Sequence, residues 1–198
     1  MEHYYQGDYP TSEEIMRNRL IDGCLDAIRD TGMAKISIRS IAEKTGIARP
    51  TVYKHFRNKN DILAAALQRE GLSFGLQVAD IARHETDIAE KFITGFIYVV
   101  DNFAQNPILA QIFAPGSTFL QDVGMKDFTF AEFGQIAFAE AFEANPTLME
   151  QSEEISEHWI RSALSFIAMP GTPRHEADFR GYIKRRLLPG LCLPDSTQ

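Results

Sequence analysis

Residues 37–56 constrain this chain more than any other stretch. They read Ser37-Ile-Arg-Ser-Ile-Ala-Glu-Lys-Thr-Gly-Ile-Ala-Arg-Pro-Thr-Val-Tyr-Lys-His-Phe56. Ser37 is a helix-capping residue type, and Ile38, Ile41 and Ala42 then recur at helical spacing, giving a narrow apolar face. Ala42 is small enough for a second helix to pack close across it. Gly46 accepts the left-handed backbone that a sharp helix end requires. Pro50 suits the first turn of a new helix, where a missing N–H costs nothing. Ile47 and Val52 close the small core between the two helices, and Phe56 plugs the junction with the next element. The pattern predicts two short helices meeting at a tight turn. Arg49, Thr51, Tyr53, Lys54 and His55 face outward from the second.

The flanks extend this into a small helical domain. Thr11 and Glu14 have capping-box spacing, and Met16, Leu20, Cys24, Ala27 and Ile28 form one apolar helical face that Gly32 terminates. Asn58, with Asp61 three residues later, opens a fourth helix. Residues 1–10, with three tyrosines, a glycine and a proline, read as a flexible arm. Beyond residue 61 long helical patterns are broken near 84–86, at Asn106-Pro107, Pro115-Gly116, Gly124 and Asn145-Pro146, and at 170–173. No stretch alternates apolar and polar residues over a strand's length. The fold class is therefore all-α: a three-helix domain over 11–58 and a helical bundle over 59–198.

A net charge of −7 argues at first against a polyanionic partner. Its distribution argues the reverse. Residues 13–60 carry a net +4, and residues 61–198 a net −9. A basic small module joined to a larger acidic body suits a reader of double-stranded DNA with a separate sensing or dimerising domain.

Residues 13–63 resemble the DNA-binding domain of the TetR family of regulators. The matching positions are Gly32, Ile38, Ile41, Ala42, Gly46, Ile47, Val52, Tyr53, His55, Phe56, Lys59 and Leu63, with spacing intact over about a quarter of the chain. The resemblance implies about nine helices: three that bind DNA and a remainder that binds a ligand and dimerises. It also implies helix-turn-helix reading of a palindromic site by a homodimer, commonly as a repressor. On that footing Arg49 grips a guanine edge or a phosphate, and Pro50 and Thr51 touch thymine methyls. Tyr53, Lys54, His55, Ser37, Arg39 and Lys59 reach phosphates. For Tyr53 and His55 the alternative is packing; for Arg49 and Lys54 it is a solvated basic face. Ala48 departs from the family, which often has Ser or Thr there as a helix cap.

Twelve phenylalanines and Trp159 fall within residues 74–166. A helical-bundle core accounts for most of them. Phe96, Phe103, Phe113, Phe133 and Trp159 are the candidates to line a cavity for a small hydrophobic effector, and the resemblance makes such a cavity the expectation. The stretch 155–169 is apolar around much of its circumference, and the last helix carries a second stripe. Ile155, Trp159, Ala163, Phe166, Phe179, Tyr182, Ile183 and Leu187 are the dimer-interface candidates, with an intrachain core as the alternative. Arg180, Lys184, Arg185 and Arg186 suit the carboxyl end of a helix. The fourth helix joins reading head to cavity and is the expected lever of an effector response.

Other function classes find little support. No Glu-x-x-His pair faces inward as a di-metal site needs, and no phosphate-cradling glycine loop or nucleophile elbow occurs. Cys24 and Cys192 lie far apart without a metal-ligand pattern, which suits a reducing compartment. No cofactor is expected. The first ten residues lack the features of a secretion signal, and the apolar runs are too short to span a bilayer, so a cytoplasmic protein with no membrane partner is expected. An activator of the same fold, or a helical interaction protein with a degenerate DNA-binding head, remains the alternative to a repressor.

Overall fold

The computed structural model describes residues 10–114, 117, 130–191 and 193. The arm over 1–9, the expected breaks at Pro115-Gly116 and Gly124, Phe119, Phe128 and Cys192 lie outside the described residues. Every regular element among those described is helical. The chain divides between Ala66 and Leu67 into two compact units.

The first unit begins with α1 (Ser12–Thr31). Thr11 caps it, accepting from the Glu14 amide at 3.2 Å while the Glu14 carboxylate accepts from the Thr11 amide at 2.7 Å. Gly32 ends the helix at φ 86°, and its N–H donates to Ile28. The inner face of α1 buries Leu20, Cys24, Ala27 and Ile28 as the periodicity predicts, together with Ile21 and Leu25. Burial pushes the Cys24 thiol up to about 12, so it behaves as a small apolar side chain. A single 3-10 turn, Met33–Lys35, leads to α2 (Ile38–Thr45) and α3 (Arg49–His55). Gly46 joins them at φ 68°.

Helix α4 (Lys59–Ala82) starts where Asn58 Oδ1 accepts from the amides of Asn60 and Asp61 at 2.7 and 3.1 Å. The boundary between the units falls within α4.

The second unit is built on α5 (Ile88–Asn102), capped by Asp87. It continues through α6 (Phe130–Ala137), α7 (Ala139–Ala144), α8 (Pro146–Glu150), α9 (Ser152–Ala168) and α10 (Glu176–Arg186). Ten α-helices are thus described, against the nine or so expected. The surplus comes from 130–150, which breaks at Phe138 and again at Asn145, whose side chain caps α8. The most extensive helix pairing is α6 on α9. Gly134 permits it, because a Cβ there would lie 1.8 Å from Ser156 Oγ. Around this seam the rings interlock: Phe92 stacks on Phe138 at 4.2 Å, and Trp159 meets Phe138 edge-on at 5.1 Å. The Trp159 indole N–H donates to the Phe92 carbonyl at 3.1 Å, so this buried polar group is satisfied.

Candidate nucleic-acid interface

The helix-turn-helix closes on an apolar core. Ile41 and Val52 are fully buried, and Ile38, Ala42, Ile47 and Phe56 nearly so. Ser37 caps α2 by accepting from the Ser40 amide at 3.0 Å, and Ser40 Oγ accepts in return from the Ser37 amide at 2.9 Å. The reciprocal partner at this position is ordinarily Glu or Gln. A serine does the same work here, so only half of the box is legible beforehand. Helix α3 has no side-chain cap, since Ala48 stands at that position.

The second helix presents the side chains expected of it. Arg49, Pro50, Tyr53 and Lys54 are exposed, Tyr53 at 56%, while Thr51 and His55 are half-buried. Other cations of this unit are engaged inside the chain. Arg39 meets Glu43 at 2.7 Å, Lys44 meets Asp30 at 2.7 Å, and Arg57 meets Asp61 at 2.8 Å. The Asp30 carboxylate raises the Lys44 ammonium above its ordinary value, and the Arg57 guanidinium lowers the Asp61 carboxyl. Among the described residues Arg49, Lys54 and Lys59 make no such pair. Helix α3 and the start of α4 thus carry three cations without an internal counter-ion; Arg17, Arg19 and Lys35 also lack one, but Arg17 and Arg19 are engaged by backbone carbonyls. Ser37 is half-buried and occupied by its cap, and Arg39 is held by Glu43, so neither has the freedom of Arg49 and Lys54.

In the second unit the five candidate effector residues separate into two groups. Phe96 meets Trp159 edge-on at 5.5 Å, and Phe133 lies over Trp159 at 6.2 Å. Phe103 instead pairs with Phe113 at 5.9 Å and with Phe74 at 6.3 Å. All but Phe113 are buried.

The dimer-interface candidates split as well. Ile155, Trp159, Ala163, Ile183 and Leu187 are buried within the single chain, each below 8% exposure. They belong to the intrachain core because α9 packs against α5 and α6 while α10 returns onto α5. Phe166, Phe179 and Tyr182 stay half-buried, with the Phe179 and Tyr182 centroids 5.4 and 5.8 Å from Phe166, and Phe96 joins Phe166 and Phe179 to the Trp159 rings at 5.7 and 6.3 Å. Beside it runs an open groove between α9 and α10, lined by His158, Arg161, Ser162, Ser165, Phe166 and Tyr182. Arg180, read from the sequence as part of a solvated basic end, lies between the helices. It donates to Glu90 at 2.7 Å and to Thr94 at 2.8 Å, tying α10 to α5. No group of three or more His, Cys, Asp or Glu side chains suited to a metal occurs among the described residues, and no described helix is long and apolar enough to cross a membrane.

Comparison with known proteins places this geometry. The family model for bacterial regulatory proteins of the tetR family matches residues 20–66. The class A tetracycline repressor protein from transposon 1721 of Escherichia coli is 33% identical over 70 residues, covering 34% of this chain and 32% of that protein. The HTH-type transcriptional regulator BetI of Proteus mirabilis is 33% identical over 79 residues, 40% of each chain. The matched segments thus span well under half of these relatives' length. Among solved structures, RolR in complex with resorcinol superposes with a TM-score of 0.65 at 17% identity, covering 93% of this chain and 98% of that one. AlkX from Dietzia sp. strain DQ12-45-1b superposes with a TM-score of 0.56 at 18% identity, over 88% and 95% of the two chains. At such identities the likeness shows a shared fold. Residues 20–66 thus carry the helix-turn-helix of the tetR family of bacterial regulatory proteins, and the helical body that follows shares the fold of RolR and AlkX.

Proposed function

We propose that this protein is a transcription repressor that binds a palindromic operator as a homodimer and is released by a small apolar or aromatic effector. The observation that carries the reading is the charge on α3. Arg49 and Lys54 project from the recognition helix without internal partners, while Arg39, Lys44 and Arg57 are neutralised by neighbouring carboxylates. Arg49, near the amino end of α3, has the reach and the planar donors to read a guanine edge. Lys54 and Lys59 are suited to phosphates.

Two copies are needed for a symmetric site, since two-fold symmetry would set the recognition helices roughly 34–36 Å apart, or a multiple of that. The half-buried Phe166, Phe179 and Tyr182 and the adjoining groove are the face proposed for the second copy. An effector would act by binding the DNA-competent and DNA-incompetent states differently, with α4 as the shared element. The ring clusters around Trp159 and Phe103 favour an apolar or aromatic compound.

The test is selection from a random duplex pool at two salt concentrations. An enriched inverted repeat whose affinity falls steeply with salt is the expected result. Binding without sequence preference, or no binding at either salt, would overturn the reading.

A further inference from the structure

Two arginines of α1 are engaged with the helix-turn-helix in a way the charge pattern does not announce. Arg17 lays its guanidinium over the Phe56 ring at 4.3 Å and donates through Nη1 to the His55 carbonyl at 3.2 Å. Arg19 donates through Nη2 to the Thr45 carbonyl at 2.9 Å. Thr45 is the last residue of α2, and His55 is the last residue of α3. The final carbonyls of a helix have no intrahelical partner and carry partial negative charge, so a cation placed there satisfies both needs. One helix thus holds the carboxyl ends of both members of the motif.

The consequence differs for the two ends of α3. Its amino end lacks a side-chain cap. Its carboxyl end is tied twice, by Phe56 in the core and by Arg17 over that ring. The direction in which Arg49 and Thr51 project is therefore set from the far end of the helix. Arg17 and Arg19 are exposed, and neither pairs with a carboxylate among the described residues, so neither is needed to neutralise a buried charge.

We propose that Arg17 is a positioning residue for operator recognition, aligning α3 through its last carbonyl and the Phe56 ring, with Arg19 serving α2 in the same way. This rests on the reading of α3 as the recognition helix. Arg17 discriminates between sequences only through the helix it holds, which separates it from a residue whose task is to touch phosphate.

Two measurements decide the matter on the full-length protein. Wild type, Arg17→Met and Arg17→Lys are titrated against the enriched duplex and a scrambled duplex of equal length at several salt concentrations. Amide signals of residues 49–55 are recorded for each free protein. In Arg17→Met the preference for the enriched duplex should fall about tenfold, the size of one lost base contact. The salt slope on scrambled DNA should stay unchanged, and the α3 amide signals should move before any DNA is added. Arg17→Lys keeps stem and charge, should fold if Arg17→Met does not, and should lie between the two. An equal loss on both duplexes, with a slope smaller by about one, would make Arg17 a phosphate contact and overturn the proposal. Unchanged preference and unmoved amide signals would do the same. If wild type itself prefers no sequence, the repressor reading fails instead, and the amide signals decide the role of Arg17 alone.

Discussion

At the scale of single residues, pairing separates side chains that look equivalent in the sequence. Arg39 and Arg49 are both exposed arginines of the helix-turn-helix, but Arg39 meets Glu43 at 2.7 Å. An exposed pair of this kind contributes little stability, yet it must be broken before the guanidinium can engage DNA. Arg49→Ala should therefore cost about 1–3 kcal/mol of operator affinity and relax the base preference opposite it. Arg39→Ala should change affinity less and leave preference intact; binding titrations on single-base operator variants check both. The Glu43 partner was legible, since a spacing of four along a helix brings opposite charges together. The reciprocal role of Ser40 was not, because serine is an unusual third-position partner. A second prediction follows from Ala48, whose extended backbone (φ −61°, ψ 138°) suits a capping residue but offers no acceptor. Ala48→Ser should stabilise the protein by about 1 kcal/mol, read as a raised denaturant midpoint at constant slope.

Between elements, close approaches decide more than propensities do. A Cβ on Gly23 would come within 2.1 Å of Thr45 Cγ2. Thr45 cannot rotate away cheaply, because its hydroxyl donates to the Ile41 carbonyl at 2.8 Å. Gly23→Ala should destabilise the protein by about 1–3 kcal/mol through overpacking. Thr45→Ser, which keeps the hydroxyl and removes the methyl, should recover most of that loss in the double variant. Equal melting of single and double variants would sink this account. Helix starts, stops and inner faces in the first unit were legible because caps, glycines and apolar spacing are local signals. Gly23 was not, since its partner lies on another helix. Nor was the position of Arg180, whose counter-ion Glu90 is remote in sequence. Asp101 shows a similar long-range effect. Asp101 is exposed, but partial desolvation, and then the nearby Glu176, raise its carboxyl above its ordinary value, in the last turn of α5 where a negative charge is already disfavoured. A carboxyl raised in the folded state favours its protonated form there, so ionised Asp101 opposes folding at neutral pH. Asp101→Asn should raise stability at pH 7, and the gain should vanish as pH falls below the ordinary carboxylate range; thermal melts across pH measure this.

For the molecule as a whole, the charge asymmetry and the proposed two-fold symmetry act together. A chain of net −7 is repelled by DNA unless its positive residues alone face the duplex. One recognition helix has few such residues, so on the proposed reading affinity comes from two copies held at a fixed spacing, each raising the effective concentration of the other. That makes the dimer face as important to operator binding as any residue of α3. Most of the apolar stripe expected to meet a partner is buried in the chain's own core, because periodicity reports that a face is buried and not what buries it. Ser165 remains exposed on α9 and lines the groove beside Phe166. Arginine has a better helix propensity than serine, so Ser165→Arg should leave the single chain folded. It would set a bulky cation against the partner in a groove that already holds Arg161 and His158. Sedimentation should show half the wild-type mass with unchanged helical content. Affinity for the full inverted repeat should fall on the order of a hundredfold or more, while a half-site is bound as before. A Ser165→Arg protein that stays dimeric and binds the repeat normally would show that the second copy docks on another face, and that this groove serves the single chain.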